Sequence, residues 1–143
     1  MQTLNIQQLI FIAGLGQIAL IIGSLAVPKV LGWGMELAKV QPLIKQMFWT
    51  YSAYIFTINL CFGLISVFDY RELSNGTNLA GLLTGFIAVY WISRVGVQFL
   101  YFDRAGFPTG KWHKLAEVVL VALFVFLSLV YSAACFYNFN HTL

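Results

Sequence analysis

Four uninterrupted apolar segments, each about the length of a bilayer-spanning helix, dominate this chain of 143 residues. They cover residues 9–27, 47–68, 79–102 and 115–137. A helix needs about 20 mainly apolar residues to cross a hydrocarbon core of about 30 Å. Strands of a membrane barrel would instead alternate apolar and polar residues in pieces of about ten. The pattern therefore predicts an all-α, polytopic membrane protein built as a four-helix bundle.

The scarcity of charged residues supports the same fold class. Hydrophobic residues make up 60% of the chain and charged residues only 9%, against roughly 25% charged in ordinary soluble domains. Too few polar residues remain to cover the outside of a soluble bundle. We therefore predict one transmembrane domain, residues 1–143, with membrane lipids as its surroundings.

No Lys or Arg precedes the first span, so we interpret it as a retained span rather than a signal peptide.

The basic residues indicate an orientation. The first loop contains Lys29, Lys39 and Lys45, the third contains Arg104, Lys111 and Lys114, and the second contains only Arg71. Loops rich in Lys and Arg remain in the cytoplasm. We therefore expect loops 1 and 3 to be cytoplasmic, both termini to lie outside, and the protein to reside in a bacterial inner (plasma) membrane. Since these residues flank spans and form no basic stripe among exposed aromatics, we expect no nucleic-acid partner.

The first loop contains a short amphipathic pattern. Trp33, Leu37, Val40 and Ile44 recur at helical spacing, which predicts a short interfacial helix that Pro42 ends. An irregular loop anchored by Trp33 is the alternative.

One basic residue lies inside a predicted span. Arg94 is about 12 Å from the cytoplasmic end of the third span by helical rise. A guanidinium at such depth costs about 2.5–3.5 kcal/mol on insertion scales, so it normally faces protein or water and has a partner. Tyr90 and Gln98 share its helix face. Glu117, in the fourth span, is the one acid within any predicted span.

Polar side chains from all four spans can surround Arg94. We predict a ligand-binding polar pocket in the cytoplasmic half of the bundle, formed by Arg94, Glu117, Tyr90, Gln98, Tyr54, Asn59 and Gln17. Two structural alternatives remain open. Arg94 and Glu117 could form an ion pair without a ligand, or Arg94 could extend past Gln98 to the inner headgroups.

The cysteines and histidines give no sign of a metal or cofactor site. Cys61 and Cys135 lie at different predicted depths, which disfavours a disulfide. His113 and His141 lie on opposite sides of the predicted membrane, so they cannot share one haem or metal. We expect no metal and no cofactor.

The glycines of the third span could support close helix contact. Gly81, Gly85 and Gly96 form a stripe of small residues, and Gly81 and Gly85 make a GxxxG element. This surface could pack within one protomer or form a homo-oligomer contact. We favour internal packing.

Three functional hypotheses follow. The first is a protein that binds a lipid or amphiphile in the polar pocket, with basic residues concentrated at its cytoplasmic side. The second is a lipid-modifying membrane enzyme with Glu117 as general acid or base and Arg94 holding an anionic group. The third is an oligomeric channel or transporter component. The enzyme hypothesis loses support, because apart from Asp103 at the boundary no second acid accompanies Glu117.

Overall fold

The described part of the chain, residues 5–101 and 110–142 of a computed structural model, is almost entirely helical. The helices are α1 (Ile6–Ser24), α2 (Val27–Val30), α3 (Trp33–Leu37), α4 (Pro42–Phe68), a 3₁₀ turn (Glu72–Ser74), α5 (Asn78–Leu100) and α6 (Lys111–Asn140). Residues 5–101 and 110–142 contain no strand. Asp103 and Arg104, which entered the arguments on acids and loop charge, lie outside the described residues.

Within the described ranges, four helices are long and apolar enough to cross a membrane, and they begin and end close to the predicted spans. They are α1 extended through α2 to Val30, α4, α5 and α6. Their mean hydropathies of 1.5 to 2.6 are those of spanning segments. The predicted all-α bundle of four membrane helices is confirmed, and the chain is an integral membrane protein.

The start of the second span differs from the prediction. Pro42 does not end a helix but begins one, at the first position of α4. Proline is favoured there because its missing N–H would have no partner within the helix and its fixed φ suits the first turn. The predicted short helix of the first loop is present as α3, and it ends at Leu37, before Pro42.

The long helices pack as two close pairs. α5 packs against α6 and α1 against α4, and α1 also contacts α6. α4 meets α5 through the ring of Phe62, whose centroid lies 5.9 Å from that of Phe86 and 5.4 Å from that of Tyr90. We call the end that carries loop 69–77 and His141 the terminal end, and the end that carries residues 25–41 and the start of α6 the basic end.

Glycines set the closest helix approaches. A Cβ atom added at Gly14 of α1 would lie 2.8 Å from Ser66 Cβ of α4, so only a hydrogen fits. At Gly81 and Gly85 an added Cβ would lie 3.0 Å from Phe139 and 3.1 Å from Cys135 Sγ. The face formed by Gly81 and Gly85 thus packs inside the protomer, against α6.

Asn138 fixes the loop between α4 and α5 to the end of α6. Its Nδ2 donates to the carbonyl of Leu73 at 2.7 Å, and its Oδ1 accepts from the Gly76 N–H at 3.0 Å. Gly76 has φ of +76°, a conformation that glycine adopts without strain. Asn138 is fully buried, so these bonds replace the ones that water would make.

Candidate functional site

A central polar layer joins the four spanning helices. Its members are Gln17 on α1, Ser66 on α4, Trp91 on α5 and Tyr131 on α6, and all four are fully buried. Gln17 Nε2 donates to the Tyr131 hydroxyl, which also shares a hydrogen bond with Ser66. Trp91 Nε1 donates to Gln17 Oε1 at 3.3 Å. These bonds occupy both the Nε2 and the Oε1 atom of Gln17. The polar layer therefore connects the helices to one another.

A second polar group contains atoms that have no partner. We call Asn59 of α4 with Tyr90 and Arg94 of α5 the Arg94 cluster. Asn59 Oδ1 and Arg94 Nε are both buried, and neither makes a hydrogen bond to the described part of the protein. The Asn59 side chain is close enough to the Tyr90 hydroxyl to hydrogen-bond its oxygen, and the Arg94 charge acts on the same group, which places the three side chains side by side. The cluster therefore offers donors from Arg94 and Tyr90 and an acceptor from Asn59.

Aromatic rings surround the Arg94 cluster. The Arg94 Cζ lies 5.4 Å from the centroid of Phe124 on α6, a cation–π distance. The Tyr90 ring stands edge-on to Trp91 and Phe62, with centroids 5.3 and 5.4 Å apart. The guanidinium is thus held against α6 by a ring face rather than by a carboxylate.

The cluster lies between α4 and α5, which pack only loosely against each other. α4 and α5 meet through Phe62 near Asn59, whereas α5 is in close contact with α6 along its length. Toward the basic end from Asn59, α4 is largely exposed, and 63% of Tyr54 is accessible. The part of α4 on this side of Asn59 is therefore largely uncovered by the other described helices.

The structure brings together only some of the residues that the sequence assigned to the pocket. Arg94, Tyr90 and Asn59 are adjacent, and Gln98 is buried one helical turn from Arg94. Gln17 instead belongs to the central polar layer, and Tyr54 points outward from α4.

Glu117 does not form the ion pair that the sequence suggested. The structure, as far as residues 5–101 and 110–142 show it, contains no salt bridge between Glu117 and Arg94. Arg94 contacts α6 at Phe124, which is seven residues, or about 10 Å of helical rise, from Glu117. Arg94 therefore meets α6 too far along the helix axis from Glu117 to form the pair. Knowing which residues share a helix face does not give this axial offset between α5 and α6.

The thiols and imidazoles do not enter the site. Cys61 and Cys135 are free, and Cys61 is exposed on the outside of α4. His113 lies in the first turn of α6 and His141 follows its last residue, so the two rings are at opposite ends of the bundle. Within the described ranges, no group of three His, Cys, Asp or Glu side chains could hold a metal ion.

The sequence interpretation missed most of the hydrogen-bonded partners, although a spacing signal was present. Polar or hydrogen-bonding residues recur every seven positions: Asn59 and Ser66 on α4, Thr84, Trp91 and Gln98 on α5, and Tyr131 and Asn138 on α6. Positions seven apart lie on nearly the same helix face. Looking for that spacing would have identified Ser66, Trp91 and Asn138 as interior residues.

Bundles of four helices support many unrelated functions, so the fold by itself assigns none. Comparison of the chain with protein-family models, curated proteins and solved structures finds no match.

Proposed function

We propose that the Arg94 cluster binds the anionic head group of a membrane lipid or amphiphile. One observation carries the proposal: two buried polar atoms, Arg94 Nε and Asn59 Oδ1, have no hydrogen-bond partner and lie beside the Tyr90 hydroxyl. Leaving a buried donor or acceptor unsatisfied costs about 1–3 kcal/mol, and more for a charged group. A bound polar group would remove that cost.

The charge of Arg94 favours an anionic ligand. An arginine inside a membrane protein normally pairs with an acid, a carbonyl or water. No carboxylate within residues 5–101 and 110–142 forms an ion pair with Arg94. A phosphate or carboxylate oxygen would supply the missing negative charge and accept from both Arg94 Nε and the Tyr90 hydroxyl.

The surroundings favour an amphiphile over a free anion. The cluster is bordered by the rings of Phe62, Trp91 and Phe124, and the nearby part of α4 has an exposed, mainly apolar surface. A molecule with an apolar tail could present its head group to Arg94 from the bilayer and leave the tail among the exposed side chains of α4. A free anion would first have to leave water, which is costly.

The orientation and assembly proposals follow the charge and glycine patterns. The first and third loops would be cytoplasmic and both termini outside, in a bacterial inner membrane. The Arg94 cluster would then lie nearer the cytoplasmic leaflet. Gly96, whose added Cβ would have no heavy atom within 4 Å, is the member of the glycine stripe that remains open for a homo-oligomer contact.

The enzyme and channel hypotheses have less support than lipid binding. A general acid or base must be within hydrogen-bond reach of the reacting group or linked to it by one water. Glu117 is about two helical turns from the position where Arg94 contacts α6. A channel subunit would need a polar stripe facing a shared axis, whereas the central polar layer bonds to itself inside one protomer.

The test is ligand-dependent stabilisation of the purified chain in an uncharged detergent. Three probes separate the sources of the anion: dihexanoyl phosphatidylglycerol, dihexanoyl phosphatidylcholine and glycerol 3-phosphate. We expect the first to raise the thermal unfolding midpoint, since a ligand at 100 times its Kd stabilises by about 2.7 kcal/mol. Glycerol 3-phosphate alone should act weakly if the tail contributes.

The variants assign any effect to the cluster. Arg94→Lys should lower the affinity at least about tenfold, because an ammonium lacks the Nε donor and the planar fork. Tyr90→Phe should lower it by about fivefold. Arg71→Gln, at an exposed arginine of loop 69–77, is the control for loss of positive charge. Equal stabilisation of the Arg94→Lys and unsubstituted proteins would refute the proposal.

A further inference from the structure

The segment that follows α1 is ordered but buries nothing in the bundle. α2 and α3 lie between the first two spans, joined by Gly32 in the left-handed conformation, with φ of +63°. Neither short helix contains a buried residue. Helices this short are unstable alone in water, so contacts beyond their own hydrogen bonds must support them.

The exposed side chains of this segment are apolar. The most accessible are Leu25 at 65%, Val30 at 53%, Leu31 at 41% and Met35 at 75%. In a segment that directly follows a membrane span, such side chains can enter the boundary between headgroups and acyl chains. That location explains why apolar residues remain uncovered by protein.

Trp33 holds the segment beside the start of α4. Its ring stands edge-on to Phe48, with centroids 4.8 Å apart, and to Trp49, at 5.9 Å. Tryptophan is the residue most typical of the membrane–water boundary, where its ring is apolar and its N–H is hydrated. The contact thus fixes α3 at the depth where the first residues of α4 enter the membrane.

The charges of the segment complement an anionic surface. Between residues 25 and 45 the chain contains Lys29, Lys39 and Lys45 against a single acid, Glu36. Lys39 pairs with Glu36 at 3.2 Å. Lys29 and Lys45 make no salt bridge within the described ranges and are exposed. Two uncompensated lysines therefore flank the exposed apolar residues.

We infer that residues 25–45 bind the anionic lipid headgroups of the adjoining leaflet, with the apolar side chains inserted among them. Binding to an anionic surface combines buried apolar area with attraction of Lys and Arg to acidic lipids. The segment has both components, and its contact with the described chain through the Trp33 ring leaves the apolar side chains at 25, 30, 31 and 35 uncovered. The inference is separate from the Arg94 cluster and uses none of its residues.

The experiment measures the depth of position 35 in vesicles. The full chain with Cys61→Ala and Cys135→Ala provides a background for Met35→Cys labelled with a nitroxide. Electron paramagnetic resonance compares collisions with oxygen, which concentrates in lipid, and with a water-soluble nickel chelate. We expect a membrane-inserted signal in phosphatidylcholine vesicles containing phosphatidylglycerol, and a larger water-exposed fraction in phosphatidylcholine alone.

Charge variants distinguish headgroup binding from simple apolar anchoring. One lysine near an anionic surface contributes about 1 kcal/mol, so Lys29→Gln or Lys45→Gln should each lower the inserted-to-exposed ratio about fivefold in the acidic vesicles. Lys114→Gln, in the first turn of α6, makes the same charge change at the same end and should leave the ratio unchanged.

Three results would overturn the inference. The nitroxide could be equally deep in both vesicle types, which would mean apolar anchoring without recognition of charge. It could be water-exposed in both, which would leave the short helices without a membrane contact. Spin–spin broadening that persists on dilution with lipid would show that a second copy covers the segment instead.

Discussion

The hydroxyl of Tyr131 on α6 accepts a hydrogen bond from Gln17 Nε2 of α1, and the same oxygen is bonded to Ser66 of α4. Interhelical hydrogen bonds in membranes contribute about 0.6 kcal/mol on average and up to about 1.7 kcal/mol. Tyr131→Phe should therefore lower the free energy of unfolding in detergent by about 1–3 kcal/mol, since two buried groups lose a partner. Tyr54→Phe, at a largely exposed hydroxyl, is the matched control and should change it little.

Two glycines of α1 should respond in opposite directions to alanine. At Gly14 an added Cβ would lie 2.8 Å from Ser66 Cβ and 3.0 Å from the backbone nitrogen of Val67, whereas at Gly23 it would meet nothing within 4 Å. Gly14→Ala should destabilise the bundle by about 1–3 kcal/mol through overpacking. Gly23→Ala should be neutral or stabilise by up to about 1 kcal/mol. Thermal unfolding of both variants checks this, and a stable Gly14→Ala protein would contradict the close α1–α4 contact.

The position of Arg94 over Phe124 predicts a stability effect that depends on the ring. Phe124→Leu keeps most of the apolar volume and removes the aromatic face. A desolvated cation–π contact contributes about 2 kcal/mol, so we expect a loss near that size in denaturant titration. Phe136→Leu, at a phenylalanine that is 71% exposed on the same helix, controls for a general preference of α6 for aromatic residues. Equal losses in the two variants would argue against the contact.

Asn138 should control the exchange of one loop amide. Its Oδ1 is the acceptor for the Gly76 N–H at 3.0 Å. In Asn138→Ala that amide loses its acceptor, so hydrogen–deuterium exchange at Gly76 should accelerate by about tenfold or more, as expected for loss of about 1.4 kcal/mol of protection. Asn140→Ala, two residues further along at an exposed position, should leave exchange at Gly76 unchanged.

The proposed orientation predicts opposite accessibility for two positions. Lys39→Cys and His141→Cys, each in a chain without Cys61 and Cys135, should react with a membrane-impermeant maleimide from different sides of intact cells or spheroplasts. Loops 1 and 3 together contain six Lys or Arg residues and loop 2 contains one, which is the basis for expecting position 141 outside. Labelling of both positions from the same side would reject the orientation.

The four spans could be predicted because each is a long apolar run, a signal that needs no knowledge of neighbouring helices. Helix ends were harder to predict. Pro42 is compatible with either the end of one helix or the first turn of another, and the structure shows the second. The apolar run begins only at residue 47, so it does not decide between the two.

The candidate site could be predicted only within single helices. Tyr90 and Arg94 share a face because they are four residues apart, and that face does meet Asn59. The distance between Arg94 and Glu117 depends on the axial offset between α5 and α6. Contacts such as Gly85 against Cys135 fix that offset, and side-chain periodicity contains no information about it. For the same reason Gln17 could not be separated from the Arg94 cluster in advance.

The position of the shared hydrogen-bond partners along the chain has a consequence for biosynthesis. Gln17, Ser66 and the Gly76 amide belong to parts of the protein that emerge early from the ribosome, whereas Tyr131 and Asn138, which bond to them, belong to the final helix. Until α6 enters the membrane, the earlier segments therefore contain polar groups without their native partners. Nascent chains that end before position 131 should be retained by the insertion machinery, or degraded, more readily than chains that end after position 138.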